Sequence, residues 1–262
     1  MRRIFYLAAC CTLCWTACKR DSNPPGACAP ARLAGAADTF SYPVRTDSPA
    51  WPWGSRTDQY RLTAVPQSRL DAMSTAGMIE TWLDHPMLAY ALLNASLWED
   101  GFGTVADSSN VFQTLKTRSD AAALLLERYA QMEPGCAQND TGDPWLDHVL
   151  PFAYLEITLS QPAFLDQLTA AEKIRLIELA LKWYGEKDRR PGSFGGIGPV
   201  CTAALMGRLM LRDEYEPYLR LYYLPDNNYE HKILMERIPL QGYTVTAAVT
   251  AETARQYLKD KR

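Results

Sequence analysis

The stretch Pro199 to Asp213 carries almost no polar face. Val200, Cys201, Ala204, Leu205, Leu209 and Leu211 run around it, and Arg208 and Arg212 are its only charges before Asp213. A helix that is apolar nearly all round can exist in water only if other elements surround it. This segment therefore predicts a central helix, with the rest of the chain packed about it.

The flanking sequence supplies such elements. Met78, Ile79, Trp82 and Leu83 share one face behind Ser74 or Thr75 as N-cap, and Pro86 stops or kinks that helix at His85. Asn110 is placed to cap Val111 to Lys116, and Ser119 or Asp120 to cap a helix carrying Ala122, Leu125, Leu126 and Tyr129. Asp143-Pro144 starts a further helix, which Pro151 kinks or divides, and Pro162 opens a short one. Thr169-Ala170-Ala171-Glu172 reads as a capping box ahead of Ile174, Ile177, Leu181 and Tyr184. Lys187 to Arg190 then put positive charge where the helix dipole favours it, before Pro191-Gly192. The turn-rich stretch from Glu133 to Asp143 separates two helical halves, 59–132 and 143–262.

The fold expected is mainly α: an irregular multi-helix bundle or a short α-α array around the helix at 199–213. One small two-stranded β element is added to it, because Tyr243 to Val249 alternates with period two and Gln59 to Val65 is its natural partner. A hydrophobic share of 47% provides a core large enough for this arrangement.

Ahead of the helices, Arg2 and Arg3, the apolar run Ile4 to Trp15 and the small residues Thr16-Ala17 form a secretory signal. Its apolar run is well short of the roughly 20 residues of a transmembrane helix. Cys18 follows directly, so Thr16-Ala17-Cys18 resembles a bacterial lipobox, with Trp15 where that pattern usually has leucine. The resemblance implies lipidation of Cys18 after removal of residues 1–17. It places the protein outside the cytoplasm, anchored to the bacterial membrane and facing the periplasm or the cell exterior. Residues 18–58, rich in Pro, Ala, Gly and Ser without apolar period, read as a flexible stalk. The folded domain is then 59–262.

Of seven cysteines, Cys28, Cys136 and Cys201 remain for the mature chain besides Cys18, and a Cys136–Cys201 disulfide is one pairing open to an oxidising compartment. A formal charge of −3 gives no basic face for nucleic acid. No residue spacing calls for a metal or a cofactor.

Trp82-Leu83-Asp84-His85 recurs as Trp145-Leu146-Asp147-His148, carrying two of the three histidines. Pro86 puts the first copy at a helix end and Pro144 puts the second at a helix start, which argues against duplicated units. Adjacent helical side chains diverge by about 100°, so neither Asp-His pair converges on one atom. The glycines between Arg190 and Pro199 lack a Walker Lys-Ser/Thr and read as a connection.

The segment Ile79 to Met132 resembles a group of uncharacterised exported lipoproteins of diderm bacteria. The shared features are Arg61 to Met73 with Pro66, Met73-Ser74-Thr75, a helix ending before Pro86, Gly101, Asn110, and Arg118-Ser119-Asp120-Ala121 leading to Tyr129. The likeness extends toward Leu221. It implies a helical module, without the Asn-Cys-His signature of a Cys-His domain that follows such a module in some of these proteins, and it implies no particular activity.

The function expected is that of a lipid-anchored envelope or cell-surface binding protein without catalytic activity. Its partners are the membrane, through the anchor, and a protein or envelope polymer. The contact residues expected are the aromatics Trp51, Trp53, Tyr215, Tyr218, Tyr222 and Tyr223. The alternative is an envelope hydrolase in which Cys201, near a helix N-terminus, acts with His148 or His231 as a Cys-His nucleophile.

Overall fold

The apolar central segment is a helix, buried from Ile197 to Met210 except at Arg208. A computed structural model describes residues 32–91, 101–133, 149–223, 229–238 and 242–262. Cys18, Cys28, Cys136, His148 and the second WLDH copy lie outside the described residues. A 3₁₀ turn over Ala36–Asp38 precedes α1 (Arg56–Thr63), α2 (Gln67–Ala72), α3 (Thr75–Leu83) and α4 (Leu88–Ala91). Then come α5 (Gly103–Ser108), α6 (Asn110–Leu115), α7 (Ala121–Ala130), α8 (Leu150–Leu159) and α9 (Pro162–Leu165). The second half continues with α10 (Ala170–Asp188), α11 (Pro191–Phe194), α12 (Ile197–Arg212), α13 (Glu216–Tyr223), α14 (Tyr229–Arg237) and α15 (Thr244–Lys261). The fold is mainly α, a multi-helix array, with no strand among the described residues.

Helix α12 packs against α8, α10 and α15, and also against α13 and α14. It starts at Ile197, two residues before the expected Pro199, because a proline in the first turn gives up no intrahelical hydrogen bond. Its glycine at 207 permits the closest approach: a Cβ there would lie 2.3 Å from Tyr218 Oη and 2.6 Å from Met235 Sδ. The expected halves share one core. Trp82 of α3 donates from Nε1 to Thr158 Oγ1 of α8 at 2.9 Å, and α7 packs on both α8 and α10.

Several caps follow the sequence. Ser74 Oγ accepts from Gly77 N–H at 3.0 Å, and Thr169 and Glu172 form the full capping box of α10. The first WLDH copy sits at the end of α3, with Asp84 as C-cap. Ser109, one residue before the expected Asn110, caps α6. Asn110 instead holds Val65, accepting from its N–H at 3.2 Å and donating to its C=O at 2.7 Å.

The two-stranded β element is corrected. Gln59 to Thr63 belongs to α1, and Tyr243 to Val249 spans the cap and first turns of α15. In α15 the buried side chains are Thr246, Ala247, Thr250, Ala251, Ala254 and Tyr257, at helical spacing, while Val245 and Val249 face outward. Small alanines let α15 lie close to α12, and that packing outweighs the strand preference of the β-branched residues.

The stalk expected over 18–58 is corrected for its described part, residues 32–58, while residues 18–31 lie outside the described residues. Residues 32–55 form a strap on the helices, with Leu33, Ala36, Tyr42 and Trp51 buried. Leu33 N–H donates to Glu80 Oε1 at 3.0 Å, and Phe40 N–H donates to Thr81 Oγ1 at 2.9 Å. Asp38 accepts from Ser74 N–H and Oγ at 2.6 and 2.8 Å. The helical surface offers sockets for a few anchoring side chains, so the strap needs no apolar period of its own. Glu80, which holds Leu33, is itself paired at 2.9 Å with Arg128, and both are nearly buried.

Candidate functional site

Among the described residues, one polar constellation is closed within the core and another, with aromatic side chains, is open. The closed one lies between α7, α8, α10 and α12. Glu156 Oε1 accepts from Tyr129 Oη at 2.8 Å, Lys187 Nζ at 2.7 Å and Thr202 Oγ1 at 2.7 Å. Lys187 also donates to Thr202 Oγ1 at 2.9 Å, and its ammonium lies 4.2 Å from the centre of the Phe152 ring. Glu156, Lys187, Thr202 and Tyr129 are all without solvent contact. Burial lowers the Lys187 pKa, with the Glu156 carboxylate acting against it, and burial raises that of Tyr129. Lys187 thus lies in the last turn of α10, as its position predicts, but buried in the core.

Cys201 belongs to this closed region. It is a free thiol, 1% exposed, and its charged neighbours are Glu156, Lys187 and Arg208. Burial and the Glu156 carboxylate push its pKa well above the ordinary thiol value. A nucleophilic cysteine needs the opposite, so the expected Cys-His nucleophile is corrected to a core residue. Cys136, the other half of the Cys136–Cys201 pairing, lies outside the described residues. His231 packs edge-on to Tyr218, ring centres 6.1 Å apart, and His148 lies outside the described residues. His85 is buried against Tyr42 and Trp82, with Nδ1 accepting from Met87 N–H at 3.2 Å. Among the described residues no group of three His, Cys, Asp or Glu side chains is placed to hold a metal ion. No described helix is long and apolar enough to cross a membrane.

The open constellation is a cleft of about 370 Å³ between the end of the strap, α1 and the α4–α5 region. Its walls include Trp53, Tyr60, Tyr90 and Met87, with Arg56, Gln59 and Thr104 as polar groups. That volume lies at the lower end of the ~300–1,000 Å³ typical of small-ligand sites. The two tryptophans of Trp51-Pro52-Trp53 take different roles. Trp51 is buried, stacks on Tyr90 at 6.4 Å between centres and donates from Nε1 to Tyr90 Oη at 2.7 Å. Trp53 is 65% exposed and stands edge-on to Tyr90 at 5.9 Å. Thus Trp51 fixes the ring against which Trp53 is displayed.

Helix α1 brings the polar groups to the same wall. Ser55 Oγ accepts from Asp58 N–H at 3.2 Å and starts the helix, so Arg56, Gln59 and Tyr60 fall on adjoining positions of one face. Reading this stretch as a strand hid that convergence. Its helical spacing behind a serine cap is the signal that would have revealed it.

The expected aromatic run of α13 is divided in the same way. Tyr218 is fully buried, and Tyr215 is buried with its Oη donating to Asp260 at 2.6 Å. Burial and the Asp260 carboxylate push the Tyr215 pKa up to about 12. Tyr222 donates to Glu236 Oε1 at 3.0 Å and lines a groove of about 350 Å³ with Arg208 and Arg212. Tyr223 is 71% exposed and packs edge-on to Tyr222. Tyr215 and Tyr218 are thus core residues, corrected from contact residues. Trp51, buried against Tyr90, is likewise corrected to a core residue, while Trp53 lies on the cleft and Tyr222 on the other groove.

No protein-family profile, curated protein or solved structure matches this chain.

Proposed function

We propose that this protein is a lipid-anchored binding protein of the cell envelope or cell surface, and that the cleft at Trp53 is its ligand contact. The observation that carries the reading is an exposed Trp53 held against Tyr90 above a cleft with convergent polar groups. An exposed aromatic ring beside a second ring, at a cleft walled by apolar side chains and a few polar groups, has the make-up of a small-ligand site. The sequence of residues 1–18 supports the anchor, with Cys18 as the lipidated residue. The buried state of Cys201 supports binding over thiol hydrolysis.

Two experiments test this. Cosedimentation of the protein with purified peptidoglycan and with lipopolysaccharide is expected to retain the wild type on one of these polymers and to release Trp53→Ala. Equal retention of both proteins would sink the cleft as the contact. Metabolic labelling with a fatty-acid probe is expected to mark the wild type and not Cys18→Ala, and equal labelling would remove the anchor.

A further inference from the structure

The chemistry of the cleft at Trp53 narrows the ligand. Arg56 is the one charged residue on its described walls, it is exposed, and it makes no ion pair among the described residues. A guanidinium left unpaired at a cleft presents two parallel donors that match a carboxylate. Gln59 is buried, and its Nε2 donates to Pro52 C=O at 3.0 Å. That bond decides the orientation of the amide, since only the nitrogen can donate to a carbonyl, and it leaves Oε1 as a fixed acceptor on the cleft wall. Trp53 offers an open ring face beside Tyr90. An aromatic face is electron-rich at its centre and attracts the C–H groups of a sugar ring, while fixed polar groups at its edge sort the hydroxyls.

We propose that the cleft binds an acidic saccharide: the sugar ring lies on Trp53, its carboxylate pairs with Arg56, and a sugar hydroxyl donates to Gln59 Oε1. A neutral sugar would leave Arg56 without a counter-charge. An acidic peptide would satisfy Arg56 but would make poorer use of a flat ring beside an acceptor. The inference rests on the reading of this cleft as the ligand contact. Carboxylated sugars occur as uronates in surface polysaccharides and as octulosonates in lipopolysaccharide cores, so both sources enter the test.

Isothermal titration of the soluble protein, residues 19–262, with trigalacturonate, with 3-deoxy-octulosonate, with neutral maltotriose and with the peptide Ala-Glu-Ala decides the matter. The expected result is binding of at least one acidic sugar, roughly tenfold tighter than maltotriose or the peptide. Trp53→Ala is expected to weaken it about tenfold, and Arg56→Gln to remove the preference for acid over neutral sugar. Which acid binds more tightly identifies the source. Trp53-dependent binding without a carboxylate preference, or with the peptide bound as well as the sugars, overturns the saccharide inference and leaves the binding reading standing. Binding by none of the four probes overturns the inference, and cosedimentation then judges the binding reading alone.

Discussion

Lys187 Nζ lies 2.7 Å from Glu156 Oε1, with both side chains fully removed from solvent. Three donors converge on that one carboxylate oxygen, while Oε2 has no hydrogen-bond partner among the described residues. A buried ion pair contributes little net stability over a well-packed apolar pair, but removing one partner leaves an uncompensated charge. Lys187→Met alone is therefore expected to cost ~3–5 kcal/mol in chemical denaturation. Glu156→Gln keeps an acceptor for Tyr129 and Thr202 but, alone, leaves the Lys187 ammonium uncompensated. The double variant Glu156→Gln, Lys187→Met is expected to recover more than half of the loss. A loss in the double variant equal to the sum of the two single losses would show that the residues do not act as a pair.

His85 makes stability depend on pH. Burial depresses its pKa from an ordinary 6.5 to about 3. Between those values the unfolded chain binds a proton that the folded chain refuses, so stability is full above pH ~6.5 and falls as pH drops toward 3. The slope from this residue approaches 1.4 kcal/mol per pH unit between roughly pH 6 and 4. The buried His231, also lowered by burial, acts in the same direction. Denaturation series at pH 7 and pH 5 are expected to show a clear loss for the wild type and a smaller one for His85→Phe. An equal loss in both would mean that other groups carry the acid sensitivity.

How far the chain could be read from its sequence follows from what each element depends on. Helix α12 was legible because its apolar residues leave no alternative to burial, and α10 because its capping box satisfies backbone donors locally. The first turns of α15 were not, since Tyr243 to Val249 alternates by composition while the packing of Ala247, Ala251 and Ala254 on α12 sets the period. The strap was hidden for a related reason. Its order comes from single contacts to α3, such as Leu33 to Glu80 and Phe40 to Thr81, which no local pattern announces. At the cleft, Trp53 was visible as an unusual aromatic in a Pro-rich stretch. Arg56, Gln59 and Tyr60 became visible only once α1 was a helix, and Tyr90 was lost within an apolar run. Lys187 had the right position for a dipole-facing charge, and only the distant Glu156 and Thr202 gave it a buried role.

Cys201 is expected to resist modification in the native state. It is buried in α12, and its thiol is held protonated by desolvation. Iodoacetamide at pH 8 followed by peptide mass mapping should leave Cys201 unlabelled in folded protein and label it in denaturant. Rapid native labelling would restore the thiol as a reactive group and would contradict its burial.

The two tryptophans flanking Pro52 provide the last test, because they are neighbours in sequence with opposite environments. Trp51 fills the core beneath the strap, and its Nε1 holds Tyr90. Trp51→Ala removes a buried indole and a hydrogen bond, so it is expected to cost ~3–5 kcal/mol in denaturation. Because Tyr90 loses the hydrogen bond from Trp51 Nε1, binding at the cleft should weaken in the same variant. Trp53→Ala removes a side chain that is 65% exposed, and its stability cost is expected to stay within about 0.5 kcal/mol. The pair thus separates framework from contact: one substitution changes both stability and binding, the other binding alone. Comparable stability losses in the two variants would mean that Trp53 also serves the fold, and its exposure would no longer point to a ligand.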